Sequence, residues 1–480
     1  DDIGQIFDTM KRSTSGRWFL QYPAALSSQY SIPWLNGILT ILYISIASSF
    51  CAAIMKIHKP FHCILLAGIM VTFPVIGSTF SYMNSADAYA FAMLLSVAGV
   101  YLANKYSYGF ILAAFCFMLS MGIYQSYFGL GAGMFVVVLI LDLLRRNESF
   151  SFKKFAIKSI KFVSSLALGI IGYMLIVKFT GVQLTSYQGI DSMGKIPIQE
   201  IPNAVIRAYK QFFAFFARNS FSYQFSFMKL LFIFSAVAGA IIIIGLMVRR
   251  KAKPTEILSV LSLLIVLPFA TNIIYVMCWN SSVHILMIYG LVSIFILAIG
   301  LIDIISYISN NKKLDSHMKK TFLSLQNLLS WVLTIMLIIS IYNNIYVTNR
   351  AYFKLHMVYE QGYAYTNRLI SRIENMEEYN QDSKIIFVGS PKLDNKYTQA
   401  LKDKDLSKMT GIIGSIPGSW TYPWFLQRYM AFSGEIQTLK TTEETIVLGI
   451  EEVLQTMPNY PNHGSILAVG NLIIVKFSNP

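Results

Sequence analysis

The chain begins with two adjacent carboxylates, Asp1 and Asp2, ahead of a sequence that soon turns almost continuously apolar. Aspartates of ordinary acidity are ionised at neutral pH, and either can take a proton from an attacking hydroxyl. Adjacent side chains point in different directions on a regular backbone, so one can act as base while the other orients a substrate. The competing reading is a solvated acidic loop. Asp8, Arg12 and Arg17 follow in "DTMKRSTSGRWFLQYPAAL", where Trp18, Phe19, Leu20 and Tyr22 suit a membrane interface. Three more polar groups interrupt apolar runs: Asn84, Ser85 and Asp87; Tyr124, Gln125 and Tyr127; and Trp279, Asn280 and His284. Each also has a plain reading. "NSAD" suits a helix N-cap at Asp87, "YQSY" an interfacial aromatic belt, and a lone His284 a structural residue. The segment "IPNAVIRAYKQFFAFFARN" reads as an amphipathic helix with Arg207, Gln211, Ala214 and Arg218 on one stripe. Such a helix can lie in an interface and hold the phosphate of a lipid-linked substrate, or its arginines can simply snorkel to headgroups.

The elements that must position these residues are membrane helices. Hydrophobic residues make up 55% of the chain and charged ones 13%, with mean hydropathy +0.54. Ten apolar stretches approach the roughly 20 residues a crossing needs. They run from Ile32 to Met55, Phe61 to Ser81, Ala86 to Leu102, Phe110 to Ile123, Phe128 to Leu144, Phe155 to Thr180, Phe227 to Val248, Glu256 to Met277, Val283 to Ser306 and Thr321 to Ile345. The fourth and fifth form one run split at "YQSY". Net charge is +15, and its bases sit in alternate loops: "KIHK", "NKYS", "RRNESFSFKK", "RRKAK" and "NNKKLDSHMKK". The positive-inside rule assigns those loops to the cytoplasm and explains the charge without a nucleic-acid partner. Every polar group named above then faces outward. A chain whose first segment, 1–31, is outside implies an earlier crossing upstream of Asp1, or a cleaved signal peptide. Asp142 and Asp303 fall at cytoplasmic helix ends, to be solvated or paired.

Residues 1–345 therefore read as a multi-span domain with outer loops 1–31 and 181–226, and residues 346–480 as a small extracytoplasmic α/β domain. In the latter, a long helix leaves the membrane after Ile345. "SKIIFVGSP" reads as a buried strand, "TEETIVLGIEEVLQTMPNYP" as a strand or helix start with a turn, and "GSILAVGNLIIVKFS" as two strands joined at Gly470-Asn471. No phosphate loop, metalloprotease or nucleophile-elbow motif occurs. The four cysteines sit in or beside apolar helices at no metal-like spacing.

The acidic pair, "GRW", "NSADAYA", "GIYQSY" and the closing "MPNYPNHGSILAVGNLIIVKFS" together resemble the GtrII-type glucosyltransferases, bacterial enzymes of the GT-C class that modify O-antigen and related surface polysaccharides. The likeness extends over nearly the whole chain. It implies a polytopic helical inner-membrane protein working beside a donor synthase and a flippase, with a polyprenyl-phosphate sugar donor, a glycan acceptor and single-displacement inversion. Asp1 and Asp2 would be the catalytic pair. Arg207, Lys210, Arg218 and His284 are candidates for the donor phosphate, and Arg12, Arg17, Asn84, Asp87, Tyr124, Gln125, Trp279 and Asn280 for substrate contacts. No metal or other cofactor is expected. One departure stands out: the family's arginine soon after the acidic pair is Gln5 here, so Arg12 or Arg17 takes its place or the acceptor differs. The alternatives are a lipid-glycan transporter, which favours internal repeats and charges near the midplane, and a glycan polymerase or ligase with an arginine-bearing outer loop.

Overall fold

The structure is a computed structural model that describes residues 15–145, 150–181, 184, 192–218, 225–310, 317–391, 409–412, 414–419, 421–439, 441, 444 and 449–479, with side chains of the helix that starts at His317 described from Leu323 onward. Asp1, Asp2 and Arg12 lie outside the described residues. The chain divides into two compact units, a helical one up to Thr348 and a mixed one from Asn349.

The helical unit opens on a short turn of helix, α1 (Gln21–Ala24), followed by α2 (Pro33–Ile54), α3 (Pro60–Thr72), α4 (Pro74–Thr79), α5 (Met83–Lys105), α6 (Gly109–Ile123), α7 (Phe128–Arg145), α8 (Phe152–Phe179), α9 (Ile201–Ala217), α10 (Met228–Arg249), α11 (Pro254–Thr271), α12 (Ile274–Met277), α13 (Val292–Asn310) and α14 (His317–Glu374). Proline opens α2, α3, α4 and α11, at a position whose N–H has no helical partner anyway. Pro74 also separates α3 from α4, because it forces Phe73 out of the helical region to ψ 139°. Among the described residues nine spans are long and apolar enough to cross a bilayer. Helix α6 is an apolar helix of 15 residues, about 22 Å of rise against a core of about 30 Å.

The protein is thus a polytopic helical membrane protein, as its composition predicts, with differences at the ends of segments. The eighth apolar stretch breaks after Thr271, and α12 follows as a single turn. The ninth starts as two short 3-10 turns before Val292. Asp87 does not cap its helix: α5 begins at Met83, and the aspartate lies one turn inside with no solvent exposure.

One end of the bundle gathers the basic loops. Arg145 donates to Met55 O and Arg250 to Leu143 O, while Lys158 bonds Asn104 Oδ1 at 2.7 Å and pairs with Asp142. Asp303 is buried among His58 Nδ1 at 3.0 Å, His62 Nδ1 at 2.8 Å and Arg145 Nη2 at 3.6 Å, and it accepts the His58 backbone N–H at 3.1 Å. One carboxylate thereby pins the α2–α3 connection and the end of α7 to α13. Both aspartates left as solvated or paired are paired. Asp303→Ala strips that anchor and leaves buried donors unmatched, so unfolding in detergent is expected to become easier by about 2–3 kcal/mol. Asp142→Ala, at a partly exposed pair, should cost about 1 kcal/mol or less; equal melting shifts for the two would contradict the anchor.

In the second unit the later part of α14 packs Tyr365, Leu369 and Ile373 against Ile385, Phe387 and Phe425. The four-stranded sheet has the order β2-β1-β4-β3, from β1 (Lys384–Val388), β2 (Glu435–Leu439), β3 (Ile466–Val469) and β4 (Leu472–Lys476). β1 runs parallel to both β2 and β4, in register Lys384↔Glu435 and Lys384↔Leu472, and β3–β4 is an antiparallel hairpin. Gly470 turns that hairpin at φ +58°, a conformation that suits glycine. The other face of the sheet buries Ile386, Val388, Leu439 and Ile474 under α16 (Glu451–Thr456), which follows the one-turn α15 (Tyr422–Trp424). Strand β2 has no counterpart among the strands expected from the sequence.

Candidate functional site

At the bundle end opposite the basic loops, the segment before α1 folds over the mouths of α5, α6 and α8. Phe19 N donates to Gly122 O at 2.8 Å, and Leu20 is buried. Gly16 crosses this mouth at φ +71°, and a Cβ there would stand 2.5 Å from Tyr173 Oη. Only glycine fits both the backbone angle and the space. The break between α6 and α7 turns Gln125 toward the crossing. Its Nε2 donates to Ser15 O at 3.0 Å and to Tyr173 Oη at 2.9 Å, and that hydroxyl donates to Gly16 O at 3.2 Å. Arg17 donates to Tyr89 Oη at 3.0 Å and lies 4.6 Å above the Tyr124 ring, which stacks on Tyr89 at 4.8 Å. Burial pushes the Tyr124 hydroxyl well above its ordinary range against the pull of Arg17, so the knot holds one guanidinium among neutral phenols.

Asp87 and Asn84 sit on α5 just before Tyr89, both buried. Asp87 Oδ1 accepts the Ala88 N–H at 2.9 Å, and the side chains of Ser27 and Asn36 face the carboxylate. Asp87 Oδ2, Asn36 Nδ2 and Thr40 Oγ1 have no hydrogen-bond partner among the described residues. A buried acceptor left open costs stability, which makes this seam an unusual place for an aspartate.

Beside the knot lies a cavity of about 870 Å³, walled by Met121, Phe128, Ile170, Met174, Val177, Met193, Ile273 and Met277. Tyr173 belongs to both knot and cavity, and Trp18 packs on the same cluster. Two cations stand in the otherwise apolar lining: Lys178 in the last turn of α8, and Lys195. Methionine-rich walls adapt to long flexible ligands.

The far wall is Ile273 with Val276 and Met277 of α12, and the third predicted group follows in the loop after that helix. Amphipathic α9 forms as its spacing indicates, but Arg207 faces protein: its Nη2 donates to Tyr275 O at 3.0 Å and Cys278 O at 2.8 Å, closing the carbonyl end of α12. Asn272 Nδ2 donates to Ala208 O at 3.1 Å, and Phe212, Phe215 and Phe216 join the core beside Phe232 and Phe295. Lys210 on α9 and Arg218 just after it are exposed and lie outside the knot. Trp279 keeps a buried Nε1 without a partner among the described residues, and Asn280 accepts from Ser192 Oγ at 2.8 Å. Partial burial pushes the His284 pKa down from its ordinary value.

The structure therefore brings Arg17, Tyr124 and Gln125 into one knot, with Asn84 and Asp87 a turn away and Arg207, Trp279, Asn280 and His284 on the α12 side. It adds Tyr89, Tyr173, Lys178 and Lys195, which sequence reasoning did not select. Lys178 had a signal, as a lone cation inside "YMLIVKFTG"; Tyr173 had none beyond its hydroxyl. Among the described residues no group of three or more His, Cys, Asp and Glu could hold a metal ion.

The family model described as Glucosyl transferase GtrII matches residues 1–297. No curated protein and no solved structure matches the chain.

Proposed function

The chain belongs to the GtrII glucosyltransferase family, and from that premise we propose that it moves a sugar, glucose by the family's description, from a polyprenyl-phosphate donor to a hydroxyl of a bacterial surface polysaccharide such as O-antigen. Transfer is of the GT-C type and takes place on the extracytoplasmic side of the inner membrane. One observation carries the donor assignment: an apolar cavity of about 870 Å³ that contains Lys178 and Lys195 and shares Tyr173 with the Arg17 knot. A lipid phosphate needs this combination, an apolar run for the isoprenoid and fixed cations for the headgroup.

In the reaction, the acceptor oxygen attacks C1 of the donor sugar, and the bond from C1 to the phosphate oxygen breaks on the opposite face, inverting the anomeric centre. Asp1 or Asp2 takes the acceptor proton. The departing polyprenyl phosphate keeps the bonding pair, and cations beside it lower the barrier as its charge grows. Lys178, Lys195 and Arg17 are the candidates nearest the cavity. Arg207 is engaged by two carbonyls, and burial disfavours a charge on His284. Asn84, Asp87, Gln125, Trp279 and Asn280 remain proposed contacts to the sugars. The scheme needs no metal.

The donor groove is tested by chain length. Val177→Trp fills the cavity wall and is expected to raise KM about tenfold for a long polyprenyl-phosphate glucose, from loss of a few buried methylenes. KM for a two-isoprene analogue should stay unchanged. A rise of equal size for both donors would remove the cavity from the reaction.

A further inference from the structure

We propose that the basic end of the bundle holds a second lipid site, a pocket in which Lys56 and Lys154 bind the phosphate of an anionic phospholipid. The pocket measures about 310 Å³ and lies between the second residue after α2, the end of α7 and the first two turns of α8. Its lining carries four cations, Lys56, Arg145, Lys154 and Lys158, against one carboxylate, Asp142. Two of the cations already have their anions. Lys158 is paired with Asp142, and Arg145 stands 3.6 Å from Asp303. Lys56 and Lys154 are exposed, and neither ammonium has an ion pair or hydrogen bond among the described residues. Among the described residues the pocket therefore keeps two cations without a paired anion.

The rest of the lining is apolar, from Leu139, Leu143 and Phe155. Farther along α8, Ile157, Ile160 and Val163 are largely exposed on a helix that crosses the membrane. An anion that fits this surface is amphiphilic, with its phosphate between the lysines and its acyl chains along the outer face of α8. Basic pockets between transmembrane helices recognise lipid headgroups in this way. Ser151 Oγ caps the first turn of α8, whose positive end adds to the field at Lys154. The site lies at the opposite end of the bundle from the knot and serves anchoring in the bilayer, whatever the sugar chemistry.

Native mass spectrometry of the full chain, extracted from nanodiscs of mixed lipid, tests the proposal. The wild type should retain one phosphatidylglycerol and not phosphatidylcholine. Lys56→Gln with Lys154→Gln should weaken that retention about thirtyfold, as expected for two interfacial lysines. Lys56→Arg with Lys154→Arg should preserve it, as should Lys251→Gln with Lys253→Gln, which removes the same charge from a loop that does not line the pocket. Equal loss in the control pair would make the effect a diffuse field, and equal retention of phosphatidylcholine would remove the phosphate selectivity; either result overturns the site. Displacement of the lipid by millimolar glycerol phosphate or inorganic phosphate would assign the pocket to a soluble anion instead. Should the glutamine pair fail to fold, the headgroup comparison on the wild type and the arginine pair still decide.

Discussion

Replacing the carboxylate that serves as base by its amide is expected to lower sugar transfer about a thousandfold, within the range that general-base catalysis supplies. Asp1→Asn and Asp2→Asn, made singly, should therefore behave unequally. The base variant loses kcat and leaves the donor KM nearly unchanged, because an amide of the same shape still accepts a hydrogen bond but cannot take a proton at neutral pH. Its partner, if it orients the acceptor, loses about tenfold and does so mainly in acceptor KM. Activity of the base variant should also no longer fall as pH drops through the carboxylate range, since the group that titrates there is gone. Polyprenyl-phosphate glucose and the purified acceptor glycan, with radiolabelled sugar as readout, measure all three quantities. Full activity in both variants would end the catalytic assignment, and an equal modest loss in both would leave the pair a binding loop.

The membrane part of the fold was legible because its physics is one-dimensional. Twenty apolar residues between basic and aromatic boundaries can do little else than cross a bilayer, and the ten stretches each contain or overlap a helix. What the sequence hid was continuity. Asn343 and Asn344, with Arg350 beyond, look like the point where a helix leaves the membrane, yet both asparagines are buried and α14 runs through them for 58 residues. Polar residues end an apolar run whether they meet water or meet protein. Strand β2 escaped for the converse reason: "EIQTL" alternates weakly, and its place in the sheet comes from parallel pairing with β1, a long-range contact.

The site shows the same division. Of the residues with charge or amide groups between apolar runs, Arg17, Tyr124 and Gln125 meet within hydrogen-bonding or ring-contact reach of one another's partners. Which of them face substrate depends on carbonyls the sequence does not display. Arg207 was the most prominent base on an amphipathic stripe, but the end of α12 leaves carbonyls open at Tyr275 and Cys278, and the guanidinium closes them. Tyr89 and Tyr173 sit in apolar helices as ordinary aromatics until folding aims their hydroxyls at Arg17 and Gln125. The proposed donor cations followed the same rule, since Lys178 and Lys195 come together only through the cavity they share.

Arg17 is where these arguments converge on the second large effect. Its guanidinium donates to Tyr89 Oη at 3.0 Å and lies 4.6 Å above the face of Tyr124, two neutral groups that help to fix its position. A cation so held can stabilise developing phosphate charge or grip a sugar. Arg17→Gln removes that charge, and kcat is expected to fall by about 10²–10³, the usual loss for one preorganised electrostatic donor. Arg17→Lys keeps the charge but loses the planar fork and much of the stacking, so it should recover only part of the rate. Tyr89→Phe deletes the 3.0 Å bond and keeps the ring, and its expected cost is about 1 kcal/mol, roughly fivefold in rate at most. The three variants separate function from scaffolding. If Arg17 only ties the first segment to α5 and α6, then all three substitutions will lower the melting temperature together while kcat at permissive temperature stays near wild type. A rate loss that grows from Tyr89→Phe through Arg17→Lys to Arg17→Gln, at nearly constant melting temperature, places the guanidinium at the transferred sugar or its phosphate.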